Sequence, residues 1–392
     1  MTDSFTHVSH QSWSSRIGSS IKGILFGLLL FIGAFPLLFW NEGRAIDTEK
    51  SLKEGAAAVI SVDANHFDPV NNDHLVYLSG LVSSDEVLRD DLFHIETPAI
   101  SLSRRVQVYQ WQEHSESKTE KELGGSTKTT TTYNYSKGWS GNLINSSSFK
   151  HPEDHQNPAA KAYNDNVIYA ANVTLGEFTL NSLQIREISG SRTIPLTEIN
   201  IPENSAAVIS QGEVYVGNPD TPQIGDTRIT FSEIKPAVVS IVAAQQNKTF
   251  APYMTSVGQS IQLLSTGLVS AQEMFASELA DNTLLTWGLR LLGFVLMAFG
   301  LSMIMKPLTV IADVVPFIGN LLELGTGLIS GIIAFALSLT TIAIAWIFYR
   351  PLVAAVLIAL VIGSLVYLKK KVKKVNTAVS EQTVSVPPPP PA

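Results

Sequence analysis

The chain has 392 residues, of which 45% are hydrophobic and 16% charged, with a formal net charge of −7 and no cysteine. That length allows two or three domains. The missing cysteines exclude disulfides, thiolate metal sites and cysteine nucleophiles, and the acidic balance argues against nucleic acid as a partner.

Residues 1–20 are polar and Ser-rich and read as a mobile cytoplasmic tail. An uncharged apolar run follows at 23–40. A bilayer core about 30 Å thick is crossed by roughly 17–25 helical residues, which places a first transmembrane helix at 21–40. It contains Pro36, ends in Phe39-Trp40 and lacks a small-residue cleavage pattern, so it reads as a retained anchor. The stretch "FWNEGRA" (39–45) sets Trp40 at the membrane interface and Glu42, Gly43 and Arg44 in the first water-exposed turn, where Gly43 would let the chain bend.

The next segment, 41–281, holds 17 Lys and Arg against 30 Asp and Glu. It starts helically and turns β-like from Leu75, with "LVYLSGLV", "SRRVQVYQW", "NVIYAANVTLGEFTL", "GEVYVGN", "TRITFSEI" and "AVVSIVAAQQ". Short runs rich in Val, Ile, Tyr and Thr, bounded by Gly, Pro, Asn or Asp, predict one β-rich domain. "RRVQVYQWQEH" and "KTTTTYNYSKGW" flank a Ser/Lys/Glu/Gly-rich tip and predict a long hairpin over 105–139, its tip solvated rather than packed. "SAQEMFASELADN" predicts a juxtamembrane helix at 270–282. Ser270 and Glu273 would form its capping box, and Met274, Phe275 and Leu279 a stripe packed on the β domain.

A second transmembrane helix is expected at 284–305, reaching spanning length only through Arg290. Residues 307–320, "PLTVIADVVPFIGN", are apolar enough to tempt a further span, but a central Asp costs about 2.5–3.5 kcal/mol on insertion. Asp313 and Pro316 therefore point to a cytoplasmic interfacial or re-entrant segment. A third span at 324–349 and a fourth at 351–368 meet at Arg350-Pro351, and 369–392 form a basic, proline-rich cytoplasmic tail. Gly325, Gly327 and Gly331 suit helix packing or oligomerisation. The positive-inside rule puts both termini in the cytoplasm and the acidic segment outside. The expected fold is an α+β multi-pass membrane protein. It has four transmembrane helices, one N-terminal and three C-terminal, with a large β-rich extracytoplasmic domain between the first and second.

Catalytic signatures are absent: no G-x-S-x-G, P-loop or Rossmann fingerprint occurs. The nearest approach to a metal cluster is His151, Glu153, Asp154 and His155 in "HPEDHQNP". Pro152 and Pro158 interrupt the helix that an H-x-x-x-H pair requires, so no catalytic, cofactor or metal residue is assigned. Asp226 and Arg228 in "GDTR" read as a loop brace. Arg290 is an intramembrane charge and so a functional candidate by default. Arg44, Arg290 and Arg350 all fall at the outer membrane face, and Glu42 is expected to pair with Arg290 or Arg350 and hold the helix bundle.

Seven motifs occur in order: "NEGRA" (41–45), "VYQW" (108–111), "INSSSF" (144–149), "HQNP" (155–158), "GDTRITF" (225–231), "TWGLR" (286–290) and "FYRPL" (348–352). Together they resemble the LUMA family, also called transmembrane protein 43, across nearly the whole structured chain. The resemblance implies four spans with a large domain between the first and second. In eukaryotes it implies residence in the endoplasmic reticulum and inner nuclear membrane, oligomerisation, and organisation of envelope membrane proteins that include lamins and emerin, with no established enzymatic activity. Related sequences occur in bacteria, where the domain faces the periplasm. The missing cysteines and the open sequons at Asn134, Asn145, Asn172 and Asn247 favour a bacterial member in the inner membrane. The expected function is a non-catalytic scaffold whose partners are lipids, further copies of itself and other envelope membrane proteins. The alternatives are a channel or transporter component, tested at Arg290, and a metal-dependent envelope enzyme, tested at His151 and His155.

Overall fold

The computed structural model describes residues 3–197, 201, 207–352, 355, 356, 359 and 363. Its principal elements are β1 (Asp3–Gln11), α1 (Trp13–Ala58), β2 (Leu75–Ser83), β3 (Ser101–Lys121), β4 (Thr127–Ser140), α2 (Ser182–Glu187), β5 (Thr227–Ile234), β6 (Val238–Gln246), α3 (Ala271–Ala312) and α4 (Pro316–Tyr349). They divide into two compact units. The first comprises Met1–Gly18, Asp47–Thr283 and Val310–Asn320, and the second Ser19–Ile46, Leu284–Thr309 and Leu321–Ala392.

Two sheets form the body of the first unit. One runs β1-β4-β3-β5 and continues through Glu213–Val216 to Ala207–Ser210. In the other, β6 lies antiparallel between β2 and Leu263–Thr266. β5 alternates buried and half-buried positions along its whole length, as a strand with one face on a core must. β6 departs from alternation: Val239 to Gln245 are buried without interruption. Its inner face packs Val239, Ile241 and Ala243 with Leu102, Val106, Ile229 and Phe231 of the first sheet. On its outer face Val242 meets Leu52 of α1 and Met274 and Phe275 of α3, so a helical layer covers this sheet. Burial of each of these large side chains contributes about 1.5–3 kcal/mol. The capping box forms as expected: the Ser270 backbone N–H donates to the Glu273 carboxylate and the Glu273 N–H to Ser270 Oγ.

The first residues are not a mobile tail. β1 pairs along its full length with β4, from Asp3 opposite Tyr135 to Gln11 opposite Thr127, and Ser12 then caps α1. Nothing in "DSFTHVSHQ" announces a strand, because it has no apolar face and is held through backbone pairing to a neighbour over a hundred residues away.

The second unit is built from the apolar parts of α1, α3 and α4, each long and apolar enough to cross a membrane. Ala34, Leu38, Met297 and Ala334 form its interior, flanked by Phe31, Phe35 and Phe294. Leu25, Leu29, Ile32, Phe299 and Ile332 are exposed, as side chains bathed in lipid are.

The helix boundaries differ from expectation. α1 continues unbroken past Trp40 to Ala58, so Glu42, Gly43 and Arg44 lie inside a helix and not in a bend. α3 fuses the juxtamembrane helix, the second span and the first half of 307–320 into 42 continuous residues that include Pro307. Pro316 then opens α4 at the one helical position where a missing N–H costs nothing. The expected interfacial segment is therefore shared between two helix ends. Three spanning helices stand among the described residues; the fourth, expected at 351–368, and the tail at 369–392 lie largely outside them.

Candidate functional site

In the second unit the motifs "NEGRA", "TWGLR" and "FYRPL" converge. Arg290 Nε donates to Glu42 Oε1 at 2.6 Å and its Nη2 to Oε2 at 2.8 Å, while Trp346 Nε1 donates to Oε2 at 2.8 Å. The guanidinium also lies 4.7 Å from the centre of the Trp287 ring. Glu42 is 2% exposed, so this is an ion pair withdrawn from water, viable only because its hydrogen bonds are satisfied. Beside it, Asn41 Nδ2 donates to the Thr286 carbonyl at 3.1 Å and Arg44 Nη2 to Thr286 Oγ1 at 3.0 Å. Of the three arginines at this level, Arg290 takes the carboxylate. Arg44 reaches Thr286, and Arg350 follows the end of α4 with its backbone N–H on the Trp346 carbonyl.

Gly43 serves close approach: a Cβ there would sit 2.6 Å from Tyr349 Cζ. A backbone-to-backbone helix crossing falls at Gly27 and Gly300, where a Cβ on either would stand 2.8 or 2.6 Å from the other's carbonyl oxygen. Gly325, Gly327 and Gly331, expected to pack helices, face open space among the described residues. The spacing Gly23-x-x-x-Gly27 was the readable signal for the crossing that does form.

Four other motifs meet in the first unit. Gln110, fully buried on β3, donates to the Asn142 carbonyl at 2.7 Å and accepts the Ile144 N–H at 2.9 Å. Asn157 accepts from the Trp111 N–H at 2.7 Å and donates to the carbonyls of Trp111 and Ile144. "VYQW", "INSSSF" and "HQNP" are thus one brace. "GDTRITF" closes it from the other edge, with Gly225 N–H on the Tyr109 carbonyl and Tyr109 N–H on that of Asp226. Asp226 Oδ2 accepts from Tyr215 Oη at 3.0 Å, and burial together with that carboxylate raises the Tyr215 pKa. Arg228 bonds Gln107 Oε1 at 2.7 Å and stacks on Trp139.

The histidines of "HPEDHQNP" do not converge as ligands. His155 is fully buried, its Nδ1 2.7 Å from the His151 carbonyl and its Nε2 3.1 Å from the Asp3 carboxylate, with the ring stacked on Tyr135. The His151 ring stacks on Phe5 instead. This loop clasps β1 against the hairpin. Burial, and hydrogen bonding to Glu113, push the Tyr135 phenol up to about 12.

At the far end of the hairpin, the tip is docked rather than solvated. Trp13 Nε1 donates to the Val310 carbonyl at 2.9 Å, and the Gly124 N–H to that of Val314 at 3.1 Å. Arg16 and Lys121 both pair with the carboxylate of Asp313, which is 1% exposed, and Arg16 also donates to the Gly125 carbonyl. Gly125 has φ +83° and lies against Trp13, a place with neither conformational nor spatial room for a side chain. The signal missed in the sequence was Asp313 itself: an acid in an apolar segment demands a partner, and Arg16 and Lys121 supply it.

The family model described as transmembrane protein 43 matches residues 108–351. The human protein of that name is 33% identical over 377 residues, covering 93% of this chain and 94% of its own. The mouse protein is 33% identical over 370 residues, with 91% and 92% covered. The Drosophila melanogaster homologue is 32% identical over 358 residues, with 88% and 94% covered. No solved structure matches. A match to more than half of the chain, joined to relatives one-third identical over nine-tenths of it, means that this chain belongs to the transmembrane protein 43 family.

Proposed function

We propose that the protein is a non-catalytic membrane scaffold that self-associates and presents its β-rich domain to other envelope membrane proteins. The observation that carries this reading is the direction of the family motifs' polar side chains. Gln110, Asn157 and Asp226 are spent on the chain's own backbone and side chains, and both oxygens of Glu42 are taken by Arg290 and Trp346. Groups engaged in this way shape and hold surfaces. Cross-linking in native membranes, followed by identification of co-purifying proteins, tests the reading. Defined oligomers with a recurrent partner are expected, and a strict monomer without partners overturns it.

A channel or transporter component is the second reading, resting on Arg290 as an intramembrane charge. The two-pronged grip of Glu42 on that guanidinium favours a structural use. Ion or solute flux in proteoliposomes that changes with Arg290→Ala would reverse the preference.

Of the two expected settings, the endoplasmic reticulum and inner nuclear membrane fit the animal relatives. A bacterial inner membrane with a periplasmic domain rests on the missing cysteines and open sequons alone.

A further inference from the structure

The 25 residues 141–165, between β4 and the strand Asn166–Tyr169, hold no regular element beyond one short turn at Ser146–Ser148. Connections longer than about 12–15 residues are uncommon in compact domains, and ordered ones usually serve function. This one is pinned along its length. Besides the bonds of Gln110 and Asn157, Glu113 accepts the Lys150 N–H at 2.6 Å, Tyr135 Oη the His151 N–H at 3.0 Å and Ser146 Oγ the Asn157 N–H at 2.9 Å. A loop fixed in this way loses little entropy when something binds to it. It surrounds an open cavity of about 710 Å³, lined by residues of 143–159 and within the range of about 300–1,000 Å³ usual for ligand sites. Half-buried Leu143, Ile144, Pro152 and Pro158 make its walls apolar. Glu153 and Gln156 belong to the same lining and are exposed, and among the described residues neither side chain has a partner within the chain. In "HQNP" the flanking His155 and Asn157 are spent on the chain itself, which leaves Gln156 for something else.

We propose that this cavity docks an extended segment of a partner membrane protein and takes a Lys or Arg side chain of that segment. Among the lining residues Glu153 alone is charged, so the cavity complements a cation and repels a carboxylate. The aliphatic stem of Lys or Arg covers apolar walls while its charged head stays at the water boundary, where Glu153 stands. Gln156 carries both a donor and an acceptor, the pair that a peptide group on either side of the cation requires. The surroundings reinforce the choice, since 41–281 holds 30 Asp and Glu against 17 Lys and Arg. The inference rests on the scaffold reading and names the surface and the chemistry of its partner.

Blocked alanine pentapeptides with a central Lys, Ala or Glu are the probe, titrated into the intact protein in detergent. Saturable binding of the Lys peptide alone is expected. Glu153→Gln should weaken it roughly three- to fivefold, the scale of a single exposed ion pair. Ala159→Trp, which fills the cavity from its rim, should abolish it, and Glu116→Gln, an exposed acid of the hairpin outside the lining, should leave it unchanged. Melting temperatures should not move, because each replaced side chain is exposed. Equal binding of the three peptides, no saturable binding, or an equal loss with Glu116→Gln overturns the site. In native membranes Ala159→Trp should lose the recurrent partner that wild type retains. A partner kept by Ala159→Trp overturns the docking and spares the scaffold; a wild-type chain without partners overturns both.

Discussion

Glu42 and Arg290 stand 248 residues apart in the chain and meet through two hydrogen bonds, one to each carboxylate oxygen. Both groups are largely withdrawn from water, so each is the other's counter-ion in place of solvent. Removing one partner of a buried pair typically costs about 3–5 kcal/mol, while replacing both by apolar groups is often neutral. Glu42→Gln is therefore expected to lower the melting temperature in detergent clearly, and Glu42→Leu combined with Arg290→Met to recover most of the loss. A double-mutant cycle on thermal unfolding measures the coupling. Independent, additive effects would deny it.

The glycines divide into two groups with opposite expectations. Gly27→Ala drives a methyl into the Gly300 carbonyl, a backbone atom that cannot rotate away, and should destabilise by about 1–3 kcal/mol. Gly325→Ala, Gly327→Ala and Gly331→Ala meet open space and should leave detergent stability within about 0.5 kcal/mol. If the scaffold associates through this part of α4, the same three variants reduce cross-linked oligomers without touching monomer stability. Unchanged cross-linking would move the interface elsewhere.

Asn157→Ala removes three side-chain hydrogen bonds and strands the Trp111 N–H. A buried donor left without a partner costs about 1–3 kcal/mol. Faster proteolytic cleavage within 143–159 is the expected consequence, read by limited digestion of the intact protein. Digestion at the wild-type rate would show that the brace is redundant.

The buried phenol of Tyr135 predicts an alkaline limit. Its pKa rises from 10.0 unfolded to about 12 folded, so folding favours the protonated phenol. That contribution is complete below pH 10 and is lost as the pH climbs towards 12. Denaturant unfolding between about pH 10 and 12 should show stability falling across this window, and Tyr135→Phe should flatten the fall. A variant with the same slope as wild type would assign the loss to other groups, Tyr215 first among them.

How much of this was legible in the sequence depended on the range of the contact that fixed each element. The first three apolar spans, the β texture, the hairpin and the Ser270–Glu273 cap are local patterns, and they appear close to where composition and spacing put them. β1 has no such pattern, because its pairing with β4 is written in the partner's position rather than in its own residues. Glycine misled twice for one reason. Gly43 looked like a bend and Gly325 like a packing site, yet a glycine's use is set by what comes near it, here the ring of Tyr349 and open space. The ion pair was legible because two lone charges beside apolar runs leave few candidates for one another.

The first unit is assembled from three separated stretches, Met1–Gly18, Asp47–Thr283 and Val310–Asn320. During synthesis, β1 emerges more than a hundred residues before the strand it pairs with, and Trp13 and Arg16 wait for Val310 and Asp313 nearly three hundred residues later. The unit therefore cannot mature domain-first, as autonomous domains do on the ribosome. β1 can pair once β4 has emerged, but Trp13 and Arg16 lack their partners until α3 has been made. A chain truncated before Val310 leaves Trp13 without its carbonyl acceptor and Arg16 without its carboxylate, so the first unit closes only once α3 has been completed.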